Sequence, residues 1–537
     1  MRRKRSAADS YNVTERRGKT VPSRTLGLAV TAGLVAVAAL VGGAILFTSS
    51  RASEVNLTTA SLVPEDAGIY FALNTDLSSS EWVNTFRLVE RLGQDDPEEA
   101  LKDGVDDAGV DWEEEVAPFL GGNAAIFVRG ISIEDISAQG AVIVRCKDAK
   151  AALEVIDDQV GLGDDAEHGE IEYFETFGGF VAVIGDHLVI AFDEDSMEAV
   201  IDVHNGKIKS LSSRDDFQRL RDELTGNFLG FVYLSADSLA GDFFLDDPEV
   251  RDALERSGAG DLVFEPAAWV IGAKADGFEF QAASLGKGGP VSPMLVPRES
   301  RLVRYVPADA AIYLSTTDIA GTWDRVMTSA RPEIDRAIRS EGDYDSLDDA
   351  LREAGREIGI QSIEDLVELL NGETSFAFWF PKGSEEDAEG VMLAEVDQGR
   401  AEALLKQISA TSAWGTPQTK KVNGKDMTWF KDQDGDETAY AFLDGNLVLG
   451  TRAGVEKVLG NNEPPLSSLN RYNRTVEQMP SKLGSYGYFD LSKILRLAEG
   501  GIPADLDEVE RALSGLIINV VDERGIVRLS GILTIEE

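Results

Sequence analysis

Three alternate carboxylates, Asp432, Asp434 and Asp436, stand in the stretch DQDGDE. Oxygen donors at alternate positions of a loop suit a hard cation such as Ca²⁺. An EF-hand loop, however, needs Gly at its sixth position and an acid at its twelfth. Here Gly435 comes fourth and the twelfth residue is Leu443. The stretch joins TWFK to TAYAF, so Asp434-Gly435 reads as an acid-decorated hairpin turn. The histidines His168, His187 and His204 fall in GDDAEHGE, a hairpin turn and a helix end, with no HExxH spacing among them. No GxSxG occurs. Ser284-Leu285-Gly286-Lys287 fits S-x-x-K but lacks a helical setting and a KTG partner. Gly161-Leu162-Gly163-Asp164-Asp165-Ala166 fits GxGxxA, yet it follows a helix and its aspartates would repel a pyrophosphate. Gly18-Lys19-Thr20 ends like a P-loop but has Val13 where a Gly is required. No catalytic, cofactor-binding or metal-binding residue is assigned, and no cofactor is expected.

What remains for chemistry is abundance of acid. The chain has 537 residues and a net charge of −44. Residues 1–24 hold eight basic and two acidic side chains; the rest holds 43 basic and 93 acidic. A body that negative repels phosphate backbones, so nucleic acid is not an expected partner. Paired carboxylates for glycoside cleavage stay open as an alternative, because so many acids supply many pairs. The runs DDPEEALKDGVDDAGVDWEEE and SEGDYDSLDD read as solvated helix faces. Strong acidity also suits concentrated salt. That reading expects the melting temperature to rise from dilute to molar NaCl. The single cysteine, Cys146, sits in the apolar run AVIVRC and reads as a small buried hydrophobe.

The elements that would carry such groups begin with an anchor. Leu26 to Phe47 is free of charge. At 1.5 Å per residue it is about 33 Å long, enough to cross a bilayer core. Basic residues precede it; after it comes Arg51 and then no Lys or Arg before Arg87. The positive-inside tendency then puts residues 1–24 in the cytoplasm, a transmembrane helix over 25–49, and the body outside the membrane.

The body reads as built twice. LVPEDAGIY at 62–70 returns as YVPADAAIY at 305–313, each opening a strand that leads past an Asp (Asp76, Asp318) into a Trp-bearing helix. GAVIVRCKDAKAALEVI at 140–156 matches GVMLAEVDQGRAEALLKQI at 390–408, a strand ending at an Asp (Asp148, Asp397) before a helix. GDHLVIAF at 185–192 matches DGNLVLGT at 444–451, and SLSSRDDF at 210–217 matches PLSSLNRY at 465–472. Consecutive strands with hairpin signals at Gly185-Asp186 and Asp444-Gly445 favour an α+β fold with mixed or antiparallel sheets. The expected plan is a first repeat at 57–285, a Gly/Pro linker at 286–300 and a second repeat at 301–535, two lobes with a ligand cleft between them.

The Val-Pro-x-Asp-Ala-x-Ile-Tyr opening, the Gly-Asp-x-Leu-Val-Ile strand and the strand–Asp–helix unit resemble a bacterial family of membrane-anchored proteins known only as a domain of unknown function. The resemblance spans most of residues 57–535 and implies location and fold, with no catalytic residues to carry over. The expectation is a membrane-tethered extracytoplasmic binding or interaction module of the cell envelope, its partner an unknown envelope protein or ligand. An envelope hydrolase and a passive structural surface protein are the alternatives.

Overall fold

The computed structural model describes residues 57–107, 111–132, 137–176, 178–235, 265–286, 289–341, 344–381, 388–410, 415–432, 435–460, 463–479, 482–497 and 512–536. The expected anchor at 25–49 lies outside them. Among the described residues no helix is long and apolar enough to cross a membrane.

The described residues form twenty strands of one sheet. The first ten are β1 (Ile69–Asn74), β2 (Leu120–Ser132), β3 (Ser137–Cys146), β4 (Asp165–His168), β5 (Ile171–Thr176), β6 (Gly179–Ile184), β7 (His187–Ala191), β8 (Gly230–Leu234), β9 (Ala267–Lys274) and β10 (Gly277–Ser284). The second ten are β11 (Ile312–Thr317), β12 (Glu373–Trp379), β13 (Glu389–Glu395), β14 (Gln418–Val422), β15 (Lys425–Lys431), β16 (Glu437–Leu443), β17 (Asn446–Thr451), β18 (Ser485–Asp490), β19 (Leu513–Glu523) and β20 (Ile526–Ile535). Pairing runs β4-β5-β6-β7-β3-β2-β1-β8-β9-β10. The same connections recur as β14-β15-β16-β17-β13-β12-β11-β18-β19-β20. All of these pairings are antiparallel, so the fold is α+β with a large antiparallel sheet. The sheet is continuous because β10 pairs with β20 along its whole length, Gly277 opposite Thr534 and Ser284 opposite Val527. Each would otherwise end its set of strands with an open row of backbone donors and acceptors.

Local chemistry explains the element ends. The β16–β17 hairpin turns on Asp444 and Gly445, with φ of 54° and 88°, the left-handed pair that a two-residue turn requires. Asp148 caps the helix Ala149–Val160 through the amides of Lys150 and Ala151, and Asp397 caps Gln398–Ser409 through Arg400. The recurring nine-residue segment is a clip. Leu211 donates its amide to the Val63 carbonyl, and Leu466 to that of Val306. Gly68 and Ala311 bond Val128 and Phe378, and Ala67 and Ala310 close the turn on Pro64 and Pro307. Each clip fastens the start of a strand to a distant loop.

Two main cores result. One gathers Tyr70, Phe127, Phe217 and Tyr233 beneath β1–β3 and β6–β9; the other gathers Tyr313, Trp379, Tyr472 and Tyr488 beneath β11–β13 and β15–β20. Burying each large side chain stabilises the fold by about 1.5–3 kcal/mol. Residues 289–300 run along the second core: Leu295 is buried, Ser485 donates to the Met294 carbonyl, and Arg298 bridges Leu483.

Candidate functional site

The most concentrated polar chemistry lies where β9–β10, β19–β20 and the helix Asn470–Glu477 meet. Arg471 follows from that helix's amphipathic pattern: Tyr472 and Thr475 face the core and Arg471 lies at its edge. Its guanidinium grips Glu536 twice, Nε to Oε1 at 3.0 Å and Nη2 to Oε2 at 3.2 Å. Its Nη1 reaches Asp490 at 3.2 Å and Ser492 at 3.0 Å. Arg474 approaches Glu536 at 3.4 Å, and Ser514 donates to it at 2.9 Å. Gln478 donates to Asp276 in the β9–β10 turn at 3.0 Å. Asp276, Arg471, Arg474, Ser514, Thr534, Ile535 and Glu536 line a small cleft. Burial alone would push Glu536 up, but Arg471 and Ser514 hold its carboxyl below the usual range. Burial also opposes the Arg471 charge, yet Glu536 and Asp490 keep it firmly protonated. Two arginines converging on the Glu536 carboxylate form a set of donors suited to carboxylate-like anions.

A second cluster is sealed. Glu373, 3 % exposed, accepts from Ser300 at 2.6 Å, Ser315 at 3.0 Å and the amides of Arg301 at 2.7 Å and Leu302 at 3.3 Å. Arg298 Nη1 lies 3.0 Å from the same carboxylate. These contacts pin residues 298–302 to β12. At the same register position the first ten strands hold Asn123, whose Oδ1 accepts from Thr59 at 3.0 Å. Burial pushes the neighbouring Tyr313 and Tyr486 hydroxyls far toward the neutral form.

A third group joins the Asp309 of the second clip to Trp379 Nε1 at 2.8 Å and to Lys457. Partial burial and a hydrogen bond with Asp309 raise the Glu463 carboxyl. Glycosidase carboxyls stand about 5–9 Å apart around the sugar. A pair in hydrogen-bond contact leaves no such gap.

The motif residues are dispersed. Asp432 Oδ1 accepts the amides of Gly435 and Asp436, both at 2.8 Å, so its carboxylate ties the β15–β16 turn; Asp434 lies outside the described residues. His168 bonds Asp202 at 2.8 Å and Glu198 at 3.2 Å, fastening the β4–β5 hairpin to the helix Glu194–His204. His187 is buried beside Asp186, and burial lowers its pKa. His204 ends its helix. Cys146 is buried and its thiol is pushed up by that burial, the behaviour of a packing residue. Ser284 closes β10 while Lys287 lies outside the described residues. Gly161, with φ of 73°, caps a helix, so the glycine motif is a helix stop. The Arg471–Glu536 cleft had no motif to announce it: its members are contributed by a turn, a helix and two strands.

Comparison with solved structures gives crystal form III of TP0453, at TM-score 0.24 and 9 % identity over 44 % of this chain and 80 % of that one. Crystal form I of TP0453 gives 0.22 and 10 % over 44 % and 79 %. Likeness at that level carries no argument about function. No curated protein matches the chain. Residues 28–513 match the family described as protein of unknown function (DUF3352), and the chain belongs to that family.

Proposed function

We propose that this DUF3352 protein is a single-pass membrane protein whose acidic body stands outside the membrane as a non-enzymatic binding module of the cell envelope. In this reading residues 1–24 are cytoplasmic and 25–49 cross the bilayer. Residues 57–285 and 301–535 are two copies of one α+β unit, joined by 286–300. One observation carries the location: an uncharged run from Leu26 to Phe47 separates a basic tail from a strongly acidic body. The duplication is supported by recurrence of the strand pairings in one order. The binding role is supported by the cleft at Arg471 and Arg474, where Asp276 from the first unit faces residues of the second.

The test uses the only cysteine to advantage. Cys146 is buried, so Glu537→Cys in the full chain supplies a second thiol for labelling. A membrane-impermeant maleimide should label the variant in intact cells. Labelling only after lysis would put the body in the cytosol and end the reading. Binding is tested separately, by titrating the detergent-solubilised chain with citrate. Arg474→Glu should weaken the response, and equal responses would remove the cleft from the account.

A further inference from the structure

Among the described residues β4 pairs only with β5, and β14 only with β15. These two edges hold the same place in the two sets of ten strands, yet their charges are opposite. Residues 163–176 carry Asp164, Asp165, Glu167, Glu170, Glu172 and Glu175 with no Lys or Arg, a net charge of −6 with His168 neutral. Residues 418–431 carry Lys420, Lys421, Lys425 and Lys431 against Asp426, a net of +3 on a chain whose total is −44.

We propose that β4 of one chain adds to β14 of a second copy, extending the sheet head to tail. Three observations argue for this occupant. Among the described residues both strands have one edge with no paired strand, the template for strand addition. The charges select the partner: β4 against β4 sets acid on acid, β14 against β14 sets lysine on lysine, and only β4 against β14 sets opposite charges face to face. The chain already makes one junction of this kind, since β10 and β20 also hold the same place in each set and pair antiparallel.

The acidic edge is uncommitted, and the basic edge is only partly committed. Asp164, Asp165 and Glu167 are exposed, and among the described residues none is in an ion pair. Lys420 and Lys421 do have partners, Glu456 at 2.5 Å and Asp426 at 3.0 Å. The Lys421–Asp426 pair is more than half exposed, and such pairs contribute little. Charged edges ordinarily guard against promiscuous pairing; opposite signs at the two ends turn the guard into a selector. Because the contact joins two different surfaces, it yields a ring or an open array rather than a closed dimer.

Sedimentation velocity of the full chain in detergent at low salt tests this. The wild type should self-associate, and added salt should reverse it. Lys420→Glu/Lys421→Glu and Asp165→Lys/Glu167→Lys should each weaken association about tenfold. An equimolar mixture of the two variants should recover it, because each then meets its opposite. Recovery cannot come from misfolded chains. A wild type that stays monomeric, variants that associate like the wild type, or a mixture that does not recover would each overturn the proposal.

Discussion

Asn123 and Glu373 occupy the same register position in the two sets of ten strands, opposite Asn74 and Thr317. The first is neutral, bonded to Thr59, whose hydroxyl also lies 2.8 Å from Tyr70. The second is ionisable and meets Arg298, two serines and two backbone amides. The pattern repeats below β8 and β18. There Asp216 pairs with Arg214 and accepts from Tyr233 at 3.0 Å, whereas Arg471 at the matching helix position pairs with Asp490 and Glu536. Backbone connectivity is kept while the buried polar locks are rebuilt, with sign reversed at the helix. At these points the fold keeps a buried or half-buried polar group while its identity and charge change.

The largest loss is expected at Glu373. Glu373→Ala leaves Arg298 unpaired and largely buried, and should cost about 3–5 kcal/mol in urea unfolding. Asn123→Ala, which strands the neutral Thr59 hydroxyl, should cost about 1–3 kcal/mol. Equal losses would show that the charged lock is no different in kind. Next comes the seam. A Cβ on Gly277 would lie 2.1 Å from the Leu533 carbonyl oxygen, so Gly277→Val must push β10 from β20. The expected loss is about 1–3 kcal/mol, with the single melting transition splitting in two. A split-free melt at the wild-type temperature would mean that the two sets do not depend on the seam. The smallest effect is one of pH. His187 stands where the second set has Asn446, each following its two-residue turn. Burial depresses the His187 pKa, so its contribution to stability is complete above the unfolded value of about 6.5 and is lost as pH falls below it. His187→Asn should flatten the stability profile between about pH 7 and 5. An unchanged slope would remove His187 as its source.

Much of the fold was legible because its signals are local. Asp444-Gly445 announces a hairpin, Asp148 and Asp397 announce helix caps, and the Val-Pro-x-Asp-Ala clip announces a strand start. The β10–β20 seam carried no such signal, since no loop or motif sets which strands of two sets meet. Residues 286–300 read as a Gly/Pro linker, but their packing rests on Arg298, whose partner Glu373 is supplied by another strand. The cleft was hidden for the same reason: Arg471 and Glu536 are 65 positions apart. The carboxylates of DQDGDE drew attention by spacing, yet the amides of Gly435 and Asp436 occupy Asp432.

The two sets of ten strands meet where β10 pairs with β20, with Gln281 opposite Ser530 at the centre of the seam. Opposed residues of antiparallel strands bring their Cβ atoms to about 4.5–5.5 Å, near disulfide reach. In a Cys146→Ser background, Gln281→Cys with Ser530→Cys should oxidise to an intramolecular disulfide in the purified full chain, while Gln281→Cys with Ile532→Cys should not. Failure of the first pair, or equal oxidation of both, would contradict the β10–β20 seam that joins the two sets of strands.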